Sequence, residues 1–281
     1  MSRLGIIAGG GSMPGEVAAA AIANGREVHL FQLGGFDGDS AKLRLPSTDI
    51  PFGSVGLLLR SLRQQECRDI CIIGHVTRPD MKSLKLDLGA LLSLPTIFRL
   101  MVGGDDSVLS RVVRFFEGKG FHVVGAHEIA PGLLVGAGPL GRLKPGKAAL
   151  RDIALGMKVV EQLGRLDVGQ GAVVARGHVL AVEAAEGTDR MLARCGDLRQ
   201  WGRKSSNRRS GVFSKRPKPG QELRIDMPVI GTETVRRAAD AGLAGIALLA
   251  GNVMIAGRTA TIRLADETGL FLVGVEAGSE H

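Results

Sequence analysis

The sequence predicts an α/β chain of two domains, the first a parallel sheet covered by helices. Two observations carry this. Short apolar runs alternate with helix-length segments through residues 1–130, and a proline- and glycine-rich stretch at 131–146 separates them from a second alternating block at 147–281. A chain of 281 residues also matches two domains of ~100 to 200 residues each.

In the first block the strands are LGIIAG (Leu4 to Gly9), VHLF (Val28 to Phe31), DICIIG (Asp69 to Gly74) and FHVVGA (Phe121 to Ala126). Unbroken apolar runs of this length mark strands buried on both faces, as in parallel sheets. Between them, Pro14 to Asn24 is alanine-rich, and Val55 to Gln65 repeats Leu at helical spacing. Ser107 to Gly118 places Val108, Leu109, Val112, Val113, Phe115 and Phe116 on one broad face. Leu88 to Val102 reads as a core helix, although a groove for acyl chains would use the same residues. The 131–146 stretch has three prolines, five glycines and no acid, and reads as a linker.

Beyond it, Leu150, Ile153, Met157, Val160 and Leu163 recur at helical spacing up to Gly164. Ala172 to Ala175 and His178 to Ala184 are strand-like; helices are expected after Gly187 and near Thr232 to Ala241, with strand-rich sequence from Ile246 to Val273. The apolar stretch Ala241 to Gly257 reads as two buried strands joined by a turn at Gly251-Asn252 rather than as a membrane span.

Lys and Arg number 36 against 28 Asp and Glu, so the chain carries +8 and should attract anions: phosphates, nucleotides or an acidic membrane surface. With no Tyr and only Trp201 and nine Phe to stack bases, nucleic acid is not the expected partner. Cys67, Cys71 and Cys195 suit a reducing compartment as buried thiols, and no second Cys or His pair stands at zinc-ligand spacing. The N-terminus reaches glycines after a few apolar residues and lacks the apolar core of a signal peptide, so a cytoplasmic location is expected.

The loop Gly9-Gly10-Gly11-Ser12-Met13-Pro14 joins a strand to a helix, where bare N–H groups and the positive helix end can hold a phosphate. Gly10, Gly11 and Ser12 are therefore candidate binding residues. A dinucleotide fingerprint fails because Pro14 replaces its last glycine and no acid closes the second strand. Gly141 to Lys147 mimics a phosphate loop, but Ala148 stands where Ser or Thr must hold magnesium. His75 and Arg78 follow a buried strand, at the end where open α/β sheets bind ligands. Asp105 and Asp106 can cap the next helix or bind a cation. Glu183 to Asp189 sets three acids and Thr188 around a glycine at a strand end, and a basic loop runs from Arg203 to Lys218. After that loop, Asp226 sits in an apolar setting two residues beyond Arg224, where a carboxylate can bind Mg²⁺, orient water or simply pair with the arginine.

Taken together, LGIIAGGGSMP, GHVTRPD, GGDDSVLSRVV, GRLDVGQGAVVARGHVLAVEAAEGTDRML, KRPKPGQELRIDMPVIGTETV and GLAGIALLAG resemble the UDP-2,3-diacylglucosamine pyrophosphatases of the LpxI type, from residue 3 to about 275. The resemblance implies a Rossmann-like N-terminal domain and a family-specific α/β C-terminal domain. It also implies a magnesium-dependent hydrolase in which water attacks the β-phosphorus, releasing UMP and 2,3-diacylglucosamine 1-phosphate, lipid X. The family's Gln-x-x-Arg-x-Asp-x-Pro motif falls on Gln221, Arg224, Asp226 and Pro228, making Asp226 the expected essential carboxylate. Thr188, Asp189, Lys215, Gln221 and Arg224 join the candidate substrate contacts, and Asp226, Asp105 and Asp189 the candidate metal ligands. Glu222 stands where many relatives carry Asp. Peripheral contact with the inner membrane is expected for a lipid substrate, and a homodimer is left open. Two other functions remain: another nucleotide-sugar enzyme, which would need an acceptor or a nicotinamide, and a non-catalytic anionic-lipid binder, which would ignore substitution of Asp226.

Overall fold

A computed structural model describes residues 3–34, 45–51, 53–75, 105–201 and 209–278. It divides into two compact units: Met1–Gly132 with Glu222–Asp226, and Leu133–Gln221 with Met227–His281. No helix among the described residues is long and apolar enough to cross a membrane.

The first unit contains β1 (Arg3–Ala8), α1 (Met13–Ala23), β2 (Val28–Leu33), β3 (Ser47–Ile50), α2 (Val55–Gln64), β4 (Cys67–Ile73), α3 (Asp105–Gly118), β5 (His122–Val123) and α4 (Ala126–Ile129). Its five strands are all parallel, in the order β3-β2-β1-β4-β5. The order reverses at β1 and β4, so the loops after those strands open on the crevice where such sheets bind ligands. Leu4, Ile6, Leu30, Phe31, Ile70 and Cys71 are fully buried, as unbroken apolar strands require. Helix α1 buries Val17, Ala18 and Ala21; its small side chains let the backbone lie close to the sheet. The polar strand β3 escapes the sequence reading, because of Ser47-Thr48-Asp49-Ile50 only Ile50 is buried.

The second unit contains β6 (Gly138–Pro139), α5 (Lys147–Arg165), β7 (Gly171–Ala175), β8 (His178–Val182), α6 (Gly187–Trp201), β9 (Val212–Lys215), β10 (Val229–Ile230), α7 (Thr232–Asp240), β11 (Gly245–Leu249), β12 (Met254–Ile255), α8 (Arg258–Glu267) and β13 (Phe271–Val275). Six strands form one sheet in the order β6-β13-β11-β9-β7-β8, with β9, β11 and β13 parallel and β6 and β7 antiparallel to their neighbours. Residues alternate between its faces. Val212, Ala247 and Val273 meet Ile153 and Met157 of α5 on one side. Phe213, Ile246 and Leu248 meet Leu192 of α6, Val235 of α7 and Ala265 of α8 on the other.

The 131–146 stretch is built into this unit. Val135 is 1% exposed, its N–H bonds to the Val253 carbonyl at 2.9 Å, and β6 pairs with β13. Ala241 to Gly257 does hold two buried strands and a turn, but β11 belongs to the large sheet and β12 to a two-stranded one with β10. Helix α8 replaces part of the strand expected between Ile246 and Val273. It has a weak apolar stripe, with Thr261 and Ala265 its buried residues, and its β-branched residues favour strand by local propensity.

Candidate active site

In the first unit, the glycine turn after β1 and the loop after β4 lock together. Gly9 N–H donates to the Ile73 carbonyl at 2.9 Å, Gly10 N–H to the His75 carbonyl at 2.9 Å, and His75 N–H back to the Gly10 carbonyl at 3.0 Å. A Cβ on Gly9 would run into the His75 backbone, and one on Gly10 into the His75 ring. Glycine is thus needed at 9 and 10 for close approach between two loops. Gly11 has φ +94°, a left-handed conformation that also favours glycine. The Ser12 hydroxyl donates to Glu16 Oε1 at 2.9 Å and does not cap α1. Arg78 lies outside the described residues, and Asp105 is the first residue of α3.

The second unit joins two of the sequence candidates directly. Lys215 ends β9, and α6 begins at Gly187-Thr188; the Lys215 Nζ donates to Thr188 Oγ1 at 2.8 Å. That hydroxyl donates in turn to Glu183 Oε1, also at 2.8 Å. Glu183 follows β8 and is 7% exposed, and Lys215 is 6% exposed. Ammonium, hydroxyl and carboxylate therefore form a line at the carboxyl end of β9, the ligand-binding end of a parallel strand. Asp189 is exposed beside it, its Oδ1 3.5 Å from the Arg237 Nε of α7. Glu186 bonds Arg194 at 2.8 Å; its own backbone N–H and that arginine hold its carboxyl below the usual range. The buried Gln221 accepts from Lys218 N–H at 2.8 Å, closing the turn before the Asp226 segment.

That segment, Glu222–Asp226, packs with the first unit. Ile225 lies against the cluster of Ile7, Phe31, Leu62, Val113 and Phe116. Arg224 spans two acids: its Nε and one terminal nitrogen grip Glu222 at 2.8 and 2.7 Å, and the other reaches Glu117 of α3 at 2.8 Å. Hydrogen bonding from Arg224 holds the Glu222 carboxyl below its usual range, and the same contact raises the guanidinium further. Asp226 N–H donates to the Glu222 carbonyl at 3.0 Å, and the residue is half-buried at the end of this turn. Arg224, a candidate substrate contact, pairs with Glu222 and Glu117 beside the Asp226 turn.

Sequence reasoning missed Glu117 and left Glu183 and Glu222 outside the candidate sites. The signal for Glu183 was Gly169-Gln170-Gly171, whose bare backbones pack against it; no local pattern marks Glu117. The thiols are buried as expected, and loss of hydration pushes Cys67 and Cys195 up to about 11 and Cys71 up to about 12.

Comparison with known proteins accounts for both units. Residues 3–133 match the LpxI N-terminal domain and residues 136–273 the LpxI C-terminal domain. The chain is 44% identical, over 276 residues and 98% of each chain, to the UDP-2,3-diacylglucosamine pyrophosphatase LpxI of Caulobacter vibrioides. With both family domains present in order and such a relative aligned nearly end to end, this chain belongs to the LpxI family.

Proposed function

We propose that this protein hydrolyses the pyrophosphate of UDP-2,3-diacylglucosamine, with Mg²⁺, to UMP and 2,3-diacylglucosamine 1-phosphate in lipid A synthesis. The observation that carries this reading is the near end-to-end identity to a pyrophosphatase of that name. The polar groups support it: Lys215 and Thr188 offer a cation and a hydroxyl to a phosphate, and Asp226 offers a half-buried carboxylate.

Among the described residues no three His, Cys, Asp or Glu side chains cluster as a metal cage. Magnesium fits nonetheless, because it binds through one or two carboxylates with phosphate oxygens and water completing its shell. Asp226, the aspartate of the Gln-x-x-Arg-x-Asp-x-Pro motif, is the residue assigned to hold it. The ion would supply charge neutralisation on the pyrophosphate. Asp226 also serves to orient the attacking water. The net charge of +8 suits peripheral contact with an anionic inner-membrane surface, from which the substrate would be drawn.

The test is UMP release from UDP-2,3-diacylglucosamine with Mg²⁺ or EDTA, for the native protein and Asp226→Ala. We expect metal-dependent release and a fall of about a thousandfold in the variant, within the range for loss of a general base or metal ligand. No release under any divalent metal would overturn the hydrolase reading. Full activity in Asp226→Ala would overturn the role of that residue.

A further inference from the structure

We propose that Glu183 is the positioning residue of the site, fixing the Thr188 hydroxyl and through it the direction in which Lys215 presents its ammonium to a substrate phosphate. The inference rests on the hydrolase reading for the identity of that phosphate, and on the geometry of the second unit for the rest.

A threonine hydroxyl has one proton to give. Thr188 gives it to Glu183 Oε1 at 2.8 Å, so the oxygen facing Lys215 must act as acceptor, which it does at 2.8 Å. Without Glu183 the hydroxyl could rotate and present its proton toward the ammonium. Among the described residues Lys215 forms no ion pair, and this one hydrogen bond leaves its other two N–H groups for a ligand. A nearly buried ammonium so placed is strongly directional toward an anion.

The protein builds space for Glu183 in particular. Gly171 lies directly opposite Lys215 in the β7–β9 pairing, and a Cβ there would run into Glu183 Oε2 and the Phe213 ring. A Cβ on Gly169 would run into the Glu183 carbonyl. The Glu183 N–H is itself tied to the Gly171 carbonyl at 2.8 Å. Gly171 is thus kept bare where the carboxylate sits, and Gly169 where the Glu183 backbone passes. The Glu183 Oε2 is buried and has no hydrogen-bond partner among the described residues. With Oε1 given to Thr188, the carboxylate keeps acceptor capacity at Oε2 beside the bare Gly171.

The experiment compares Glu183→Leu, Thr188→Val, Thr188→Ser and the double variant Glu183→Leu/Thr188→Val. It measures kcat and KM for UMP release, with melting temperature as a fold control. We expect each single loss to lower kcat/KM by about tenfold to a hundredfold, the worth of one hydrogen bond to a charged group. Thr188→Ser should return to within about threefold of the native protein, because it keeps the hydroxyl. The double variant should be no worse than the poorer single one, because both lesions break the same chain. Additive losses, or a Glu183→Leu variant within about threefold of native kcat/KM, would overturn the proposal.

The second readout needs no turnover: the side-chain ammonium resonance of Lys215, assigned by its loss in Lys215→Arg. The proposal requires this signal to be protected from solvent exchange in the native protein, and broadened or shifted in Thr188→Val and Glu183→Leu. An unchanged signal in both would overturn the proposal. If the native protein releases no UMP while the resonance behaves as expected, the hydrolase reading fails and the positioning role stands.

Discussion

The two units each bring a loop to the carboxyl end of a parallel strand, and they use it in opposite ways. In the glycine turn after β1, backbone donors and acceptors are spent on the loop after β4, and the side chains of Gly9 and Gly10 are absent so that His75 can approach. At the end of β9, Gly171 is again kept bare, but it makes room for the charged Glu183 side chain, whose Oε2 still has bonding capacity. The difference shows that glycines at such turns can answer two needs, close packing of loops at Gly9 and Gly10 and room for a side chain at Gly171. What marks a site is polar capacity left unspent after the fold has taken its share.

The largest effect that sharpens this contrast is expected from Lys215→Met. It should lower kcat/KM about a hundredfold or more, as loss of a buried charge-stabilising donor does, while leaving melting little changed; intact activity would move the phosphate away from β9. Gly10→Ala should do the reverse. Overpacking against the His75 ring should cost about 1–3 kcal/mol of stability, with turnover per folded molecule kept within about threefold. If Gly10→Ala instead raised KM sharply at unchanged stability, the glycine turn would be a phosphate contact and the contrast would collapse.

A smaller effect is expected from the brace under Asp226. Glu117→Gln removes one carboxylate from Arg224 at a partly exposed position, and should lower kcat a few-fold, since such pairs contribute ~1 kcal/mol or less. Unchanged kcat in both Glu117→Gln and Arg224→Gln would show that the turn is held by Ile225 alone. The smallest effect concerns the thiols. Burial raises Cys71 from the ordinary 9.0 to about 12, so as pH rises the unfolded chain gives up this proton first. The stability it contributes is complete below pH 9 and is lost between pH 9 and about 12. In the native protein at pH 8, iodoacetamide should label Cys71 only on unfolding; rapid labelling of the folded chain would show an open first-unit core.

The sheet of the first unit is readable in the sequence because β1 is buried almost throughout and β2 and β4 carry buried apolar stretches at Leu30-Phe31 and Ile70-Cys71. Strand β3 is not, since its strand character comes from pairing with Leu30 to Leu33. Glycine and proline at 131–146 likewise describe backbone freedom and say nothing of the edge pairing of Gly138-Pro139 to β13. Thr188 and Lys215 in the second unit and Asp226 in the first can be named from motifs. Their partners cannot, because Glu117 and Arg224 are 107 positions apart, and a buried Glu183 looks in sequence like any solvated acid at a strand end. Resemblance to a family finds the residues that bear a motif; the ones that hold them in place emerge only from coordinates.

The placement of Glu222–Asp226 has a consequence for how such a protein can be inherited. These five residues are encoded inside the second unit and counted structurally with the first. A gene cut at the boundary near residue 132 would yield a first unit lacking Ile225 and Arg224, with apolar surface bared on α3 and its Glu117 alone. The halves are therefore poor currency for shuffling between genes. A new specificity would have to arise by point changes within an intact pair, which fits a relative alignable across 98% of both chains.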